Sequence, residues 1–220
     1  MRLLAISDLH VRHKANRAAV EALPACPDDW LILAGDLGET LEHCRWVFQT
    51  LKGRFRRLLW VPGNHELWWT KGEPERGQAK YDALVALCRE EGVLCPEDPW
   101  ATFDGDGGPV VVALLFVLYD YSLAPEGMDV SAALAWAREH GLLCTDEWRL
   151  DGQPHGGRKE WSAVRVAESL RRLEALPTEC RTVLVNHWPL HPDLVRLPAI
   201  PRFRIWCGTR ETADWHTRFR

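Results

Sequence analysis

The stretch WLILAGDLGETLEHCRWVFQTLKGRFRRLLWVPGNHE, residues 30–66, decides the fold of this chain. It contains two apolar runs, WLILA (30–34) and LLWV (58–61). Between these runs, apolar residues recur every three or four positions from Glu39 to Leu51. That period predicts a helix, and short apolar runs bounded by glycine or proline predict buried strands. A strand, a helix and a strand in this order indicate two parallel strands joined by a right-handed crossover.

The same alternation continues on both sides of this stretch. Before it, RLLAIS (2–7) predicts a strand and residues 15–23 a helix, so the first third of the chain is predicted to be β-α-β-α-β. After it, helices are predicted at 78–91, 131–140 and 158–176, strands at VVVALLFVLYDY (110–121), RTVLVNH (181–187) and RFRIWC (202–207), and a turn at DGDGGP (104–109). Residues 122–160 are less regular, and a polar helix is expected after the last strand. We therefore predict an α/β fold with one domain over residues 1–220.

Composition limits the classes of function. A chain of 220 residues that is 46% apolar can form one compact domain. Its formal net charge of −4 makes a nucleic-acid partner unlikely on electrostatic grounds, because such modules usually carry a basic stripe. No apolar run approaches the length of a membrane span, and Asp8 interrupts the N-terminal run before it could serve as a signal peptide.

The seven cysteines form no C-x-x-C pair, and their number is odd. Neither a disulfide framework nor a zinc knuckle is therefore indicated. We expect free thiols, which are typical of a reducing compartment, and hence a cytoplasmic protein.

Side chains that can bind a cation follow four of the predicted strands. They lie in the motifs SDLH (7–10), GDLGE (35–39), GNHE (63–66) and NHWPL (186–190). The carboxyl ends of parallel strands meet at one edge of a sheet, where sites assemble. Each motif alone is weak, since an acid after a strand often caps a helix. Their succession along one chain, each at a strand end, predicts one shared site.

The donors in these motifs are oxygen and imidazole nitrogen, with no thiol placed among them. Asp8 and His10 are two residues apart, so in an extended segment their side chains point the same way and can bind one ion. This mixture of donors favours Mn, Fe or Zn over calcium.

The four motifs together resemble the calcineurin-like metallophosphoesterase superfamily. The resemblance extends from residue 3 to about residue 190 and is specific to the superfamily, not to a substrate. It implies a four-layer α/β/β/α sandwich that holds two divalent metal ions at the strand ends, with manganese the expected ion.

The resemblance also implies metal-binding roles by motif position. Asp8 and His10 would hold the first metal, and Asp36 would bridge both. Asn64 and His187 would hold the second. Two ions about 3.5–4 Å apart can clamp a phosphate and neutralise charge on the attacking and leaving oxygens.

Two further residues of GNHE receive catalytic roles from the resemblance. His65 would stand outside the metal ligands and protonate the leaving oxygen or stabilise the phosphorane, and Glu66 would orient it. An imidazole near the leaving group is the usual acid near neutral pH.

The family's G-H-x-H motif is absent. The nearest segment is CGTR (207–210), and His216 is the remaining candidate ligand. Either the site has degenerated, or the chain is truncated and a strand with G-H-x-H follows Arg220. We favour truncation, because the other four motifs are intact, and expect at least one C-terminal strand of the sandwich to be missing. The residues from Trp206 to His216 further resemble a bacterial branch that includes a hydrolase removing phosphopantetheine from carrier proteins.

Aromatic residues stand beside the motifs and suggest a substrate-binding rim. Trp68 follows GNHE, Trp188 follows His187, and Tyr119 ends the most apolar predicted strand. Such rings could stack a base or line an apolar chain, or they could pack beneath the site without touching substrate. His13 lies one turn past His10 and could reach the phosphate, or lie at the rim.

The sequence therefore predicts a dinuclear metallophosphoesterase that hydrolyses a phosphomonoester or phosphodiester with metal-bound hydroxide. The substrate would be a small molecule, such as a nucleotide-type diester, or a phosphopantetheinylated carrier protein. One alternative is a degenerate fold acting as a binding or scaffold module. A DNA-directed nuclease is disfavoured by the acidic charge balance.

Overall fold

The structure is a computed structural model that describes residues 1–220. Its strands are β1 (Leu3–Ile6), β2 (Cys26–Leu33), β3 (Phe55–Trp60), β4 (Thr102–Gly105), β5 (Gly108–Leu114) and β6 (Thr182–Val185). Its α-helices are α1 (Lys14–Glu21), α2 (Leu41–Leu51), α3 (Asn64–Leu67), α4 (Gly77–Glu91), α5 (Val130–Arg138), α6 (Asp146–Arg149), α7 (Arg158–Glu174) and α8 (Trp215–Arg218). Short 3₁₀-helices lie at Pro192–Leu194, Pro201–Trp206 and Arg210–Thr212.

The six strands form two sheets of three. In the first sheet, β1, β2 and β3 are adjacent in that order and all parallel, as predicted for the first third of the chain. In the second, β4 and β5 form an antiparallel hairpin around the predicted DGDGGP turn, and β6 pairs with β5 in parallel.

Alternation along the strands builds four layers. Trp30 and Ile32 of β2 face the second sheet and join a core that includes Val112 and Leu114 of β5. Because successive side chains of a strand point to opposite faces, Leu31 and Leu33 instead pack on the helical side, against residues of α1, α2 and α4. On the far side, the outer face of β5 packs against α7 and α8. The predicted four-layer α/β/β/α arrangement is confirmed.

The strand β5 ends earlier than the sequence predicted. Residues 115–121 were expected to continue it, but β5 ends at Leu114. Its partner β6 ends at Val185, and the Asn186 side chain then takes the place of a strand. Asn186 Oδ1 accepts from the Val117 N–H at 2.9 Å, and its Nδ2 donates to the Val117 carbonyl at 3.1 Å. The amide group thus satisfies backbone that has no neighbouring strand.

The prediction of a strand at RFRIWC (202–207) is wrong. It forms a 3₁₀-helix over Pro201–Trp206 that contacts α5. Pro201 stands at the start of this turn, where its fixed φ and missing N–H suit a helical beginning and not a ladder. The helix expected after it is broken into a 3₁₀ turn and the four-residue α8.

None of the helices combines the length and apolarity needed to span a lipid bilayer.

Candidate metal centre

The loops that follow β1, β2, β3 and β6 converge on one edge of the molecule. The first two loops run side by side beyond the ends of their strands, with Asp8 N donating to the Gly35 carbonyl at 3.0 Å and His10 N to the Asp36 carbonyl at 2.9 Å. Hydrogen bonds between loops therefore continue the parallel pairing into the site and fix where the first two motifs stand.

Asp36 lies at the middle of the cluster. Its Oδ2 is 3.8 Å from His10 Nε2, 3.8 Å from His65 Nε2 and 3.6 Å from His187 Nε2. Asp8 completes the group, with its Oδ1 3.8 Å from His10 Nε2. The structure thus brings three of the other predicted metal ligands, Asp8, His10 and His187, around the Asp36 carboxylate, and His65 with them.

Two overlapping sets of donors share Asp36. One consists of His10, Asp36 and His65, the other of Asp8, Asp36 and His187, and within each set the ligand atoms lie within 4.8 Å of one another. A shared carboxylate between two sets of donors is the arrangement that a pair of cations requires.

The backbone is strained where three of these donors attach. Asp8, His10 and Asp36 have φ angles of 58°, 41° and 56°, in the left-handed region that residues other than glycine rarely adopt. Only one other non-glycine residue, Tyr121, shares this conformation. Such conformations cluster at functional sites, where the surrounding structure enforces them.

Two glycines allow the loops to approach one another. A Cβ on Gly63 would lie 2.1 Å from Asp36 Oδ1, and one on Gly35, which also has a positive φ of 89°, would lie 2.6 Å from His187 Nδ1. Both distances are far below van der Waals contact, so only glycine fits. Gly35 and Gly63 therefore leave room for the side chains of the candidate ligands His187 and Asp36.

The orientation of His187 is set by a backbone carbonyl. Its Nδ1 lies 2.9 Å from the Ala34 oxygen, which can only accept, so Nδ1 carries the proton. The Nε2 lone pair then faces Asp36. A histidine that binds a metal is commonly oriented in this way through its second nitrogen.

Glu66 has a different role from the one expected. It is fully buried, and it accepts backbone N–H groups from Asp36 at 3.0 Å, Leu37 at 2.9 Å and Gly63 at 3.1 Å. It therefore fastens the second and third loops together and does not orient the His65 imidazole.

His65 is held by other contacts. Its backbone N–H donates to Asp36 Oδ1 at 3.0 Å, and its ring lies on the indole of Trp68 with 3.6 Å between centroids. Its Nδ1 is buried and has no hydrogen-bond partner. Packing and not hydrogen bonding thus sets the angle of this imidazole.

Burial controls the charge of the cluster. It raises the pKa of Asp36 to about 7 and, with a smaller contribution from the nearby His10, lowers the pKa of His65 to about 4. Burial also lowers the pKa of His10. No lysine or arginine forms an ion pair with Asp36. A buried acid without a lysine or arginine partner, beside His10 and His65 whose pKa values are lowered, fits a bound cation.

The aromatic residues proposed as a rim are buried. Tyr119 is fully buried, and Trp188 and Trp68 are 4% and 8% exposed. Trp188 packs edge-on against His187, and Tyr119 packs against Trp188. These rings therefore lie beneath the site, which is the second of the two interpretations that the sequence left open. His13 is exposed and precedes α1.

Sequence reasoning missed Asp146, the first residue of α6. Its side chain is buried, and its Oδ1 accepts from Asn64 Nδ2 at 2.9 Å and from Trp68 Nε1 at 2.7 Å. It lies in the irregular part of the chain, where no pattern marks it. His216, the other candidate ligand, packs against His191 and is not among the donors gathered around Asp36.

Comparison with known proteins identifies the family of this chain. The family model described as calcineurin-like phosphoesterase matches residues 1–218. The chain belongs to this family. It is 46% identical over 221 aligned positions to the [acyl-carrier-protein] phosphodiesterase PptH of Mycobacterium tuberculosis, an alignment that covers 99% of this chain and 68% of the relative.

A solved structure shows the same likeness. The crystal structure of phosphopantetheinyl hydrolase (PptH) from M. tuberculosis matches with a TM-score of 0.93 and 45% identity, over 99% of this chain and 79% of the solved chain. The predicted family, fold and class of enzyme are thereby confirmed: the chain is a metal-dependent phosphoesterase.

Proposed function

We propose that this phosphoesterase cleaves the phosphodiester that joins phosphopantetheine to a carrier protein. The observation that supports hydrolysis is the convergence of three imidazoles and a second carboxylate on Asp36. The substrate class is supported by the identity with PptH, which is named for acyl-carrier-protein phosphodiester cleavage.

We propose two cation sites that share Asp36. Asp8 and His10, whose donor atoms lie 3.8 Å apart, would hold the first, and Asn64 and His187 the second; this division follows the motifs and differs from the two sets of donors defined by distance. Cations bound there would supply charge neutralisation of the phosphate and acidification of a water. Oxygen and nitrogen donors without thiolate suit manganese, which we propose as the ion, with iron or zinc as the competitors.

His65 has the chemistry to act on the leaving group. Its pKa of about 4 means that the ring is neutral at pH 7, so one nitrogen holds a proton and the other a lone pair. A neutral imidazole beside the cluster can donate a hydrogen bond to a phosphate oxygen or to the leaving oxygen. Its position on Trp68 keeps it from turning away.

A cationic pair at the rim would attract the anionic substrate. Arg12 and Arg149 both bind Glu39, at 3.1 Å and 3.4 Å, so two guanidinium groups share one carboxylate and leave a positive excess. Both arginine side chains are largely accessible, at 62% and 41% exposure. Arg149 also lies over the ring of Trp68, the indole against which His65 packs.

We also propose that residues 1–220 act as one metallophosphoesterase domain in the cytoplasm. The two sheets share one core, and all seven cysteines are free thiols. Free thiols persist in a reducing compartment.

The test is hydrolysis by the full chain with added Mn²⁺. Phosphopantetheine release from a loaded carrier protein is followed by mass spectrometry, with bis-p-nitrophenyl phosphate as a general diester and Asp36→Asn as the inactive control. Cleavage of the general diester alone would overturn the carrier-protein substrate. Binding of the loaded carrier without any hydrolysis would favour the scaffold alternative.

A further inference from the structure

Asp146 is a buried carboxylate that accepts hydrogen bonds from two side chains of the GNHELW segment (63–68) and lies beside the buried hydroxyl of Tyr119. It is 1% exposed, and one oxygen, Oδ1, receives the amide of Asn64 and the indole N–H of Trp68. Burying an acid lowers the stability of a fold unless hydrogen bonds or ion pairs compensate for the lost hydration. Here both measured hydrogen bonds lead to the GNHELW segment, and the third polar neighbour, the Tyr119 hydroxyl, belongs to the aromatic residues beneath the site.

The bond to Asn64 decides which end of that amide is free. A carboxylate oxygen can only accept, so it must face the NH₂ group, and the Asn64 oxygen is then the end left for another partner. A cation needs this oxygen and is repelled by the NH₂ group. Without Asp146 the amide could turn over, because its two ends have nearly the same shape.

The bond to Trp68 acts on His65. The indole N–H lies in the plane of its ring, so fixing it at 2.7 Å from Asp146 fixes the plane on which the imidazole rests. His65 has no hydrogen bond at Nδ1 that could hold it otherwise. The angle of the imidazole therefore depends on Trp68, and that of Trp68 on Asp146.

The helix around Asp146 is anchored independently. Glu147 accepts from Tyr121 at 2.9 Å and from Trp206 at 2.8 Å, and it pairs with Arg158. Arg149 pairs with Glu39 on the other side. The position of α6 is thus maintained by its neighbours, so Asp146 is available for a role in the site.

We propose that Asp146 is a positioning residue of the phosphoesterase, which presents the Asn64 oxygen to a cation and fixes Trp68 beneath His65. This inference rests on the proposed assignment of Asn64 as a metal ligand. It makes residues of the irregular segment part of the centre, although they lie far from every motif in sequence.

The test is calorimetric titration of the metal-free protein with Mn²⁺. Asp146→Ala should weaken binding about ten- to hundredfold, the range found for residues that orient a metal ligand. Trp148→Phe, at an exposed position of the same helix, should leave Mn²⁺ affinity within about twofold of wild type. Unchanged affinity in Asp146→Ala would overturn the proposal. If that variant does not fold, the isosteric Asp146→Asn replaces it, with a smaller loss expected in the same direction.

A double-variant cycle separates positioning from a general structural effect. If Asp146 acts on the cation through Asn64, then Asn64→Ala and Asn64→Ala/Asp146→Ala should bind Mn²⁺ equally. Additive losses would overturn the proposal. Asp36→Asn distinguishes this inference from the proposed function. If Asp36→Asn binds Mn²⁺ as wild type does, the proposed metal centre is wrong. If Asp36→Asn loses Mn²⁺ binding and Asp146→Ala keeps it, only the positioning role of Asp146 fails.

Discussion

The Asp36 carboxylate and the His187 imidazole belong to different sheets, yet their Oδ2 and Nε2 atoms lie 3.6 Å apart. Asp36 follows β2 in the first sheet, and His187 follows β6 at the edge of the second. The Ala34 carbonyl, two residues before Asp36, holds His187 in place. The centre therefore exists only where the two sheets meet.

Asp36→Asn should abolish hydrolysis and Mn²⁺ binding, because the amide lacks the charge and the second oxygen that a bridging ligand needs. The loss of activity should be at least about a thousandfold, as is typical when the electrostatics of a catalytic centre are removed. Metal analysis and steady-state kinetics with bis-p-nitrophenyl phosphate measure both effects. Retained Mn²⁺ at wild-type stoichiometry would contradict the central role of Asp36.

The same variant should be more stable than wild type when metal is absent, and increasingly so as the pH rises. The folded-state pKa of Asp36 is about 7 and its unfolded value is near 4. Between these values the folded protein holds a proton that the unfolded chain has released, so the wild-type free energy of unfolding falls with rising pH relative to Asp36→Asn. The difference should be near zero at pH 4 and reach its full value above pH 7.

Urea unfolding in EDTA at several pH values measures this difference. The comparison at each pH cancels the contribution of His65, which is present in both proteins. Burial and the nearby Asp36 raise the pKa of Glu66 to about 7, so Glu66 adds to the difference with the same sign as Asp36. A difference in the free energy of unfolding that did not change with pH would show that the pKa of Asp36 is not raised in the metal-free folded protein.

His65→Ala should lower kcat about 10²- to 10³-fold and leave Mn²⁺ binding intact, the range expected when one hydrogen-bond donor to the reacting phosphate is lost. His187→Ala, by contrast, should lose Mn²⁺ affinity together with activity. The pair of variants distinguishes a proton donor from a ligand. Loss of one Mn²⁺ equivalent in His65→Ala would instead assign His65 to the donor set it forms with His10 and Asp36.

Gly63→Ala should reduce activity at least about a hundredfold, because its Cβ would lie 2.1 Å from Asp36 Oδ1 and displace that carboxylate. Gly107→Ala is the matched control: nothing lies within 4 Å of its Cβ, so stability should change by less than about 0.5 kcal/mol and activity should not change. Equal activity in the two variants would mean that the loops can separate without cost.

The candidate site residues of the first sheet could be placed from the sequence because local pattern and tertiary position coincide there. A parallel βαβ unit sends every loop after a strand to the same edge, so Asp8, Asp36 and His65 could be placed without knowing any contact. His187 followed the same rule from the second sheet.

The rest depended on contacts that no local pattern records. Beyond the end of β5, the Asn186 side chain pairs with Val117 in place of a strand, and β4 is an edge strand that pairs only with β5. RFRIWC has an alternating pattern but no neighbouring strand to pair with, and Pro201 favours a helical turn. Asp146 stands in an irregular segment, and only folding places it beside Asn64.

Because Asp8, His10 and Asp36 are held in left-handed backbone conformations, the arrangement of their donor atoms depends on the surrounding fold. A peptide excised with the SDLH or GDLGE loop would retain every ligand atom but relax into ordinary extended conformations, so its affinity for a cation should resemble that of free aspartate or histidine. Selective binding is thus a property of the intact sandwich, and denaturant should release the ion in the same transition that separates the sheets.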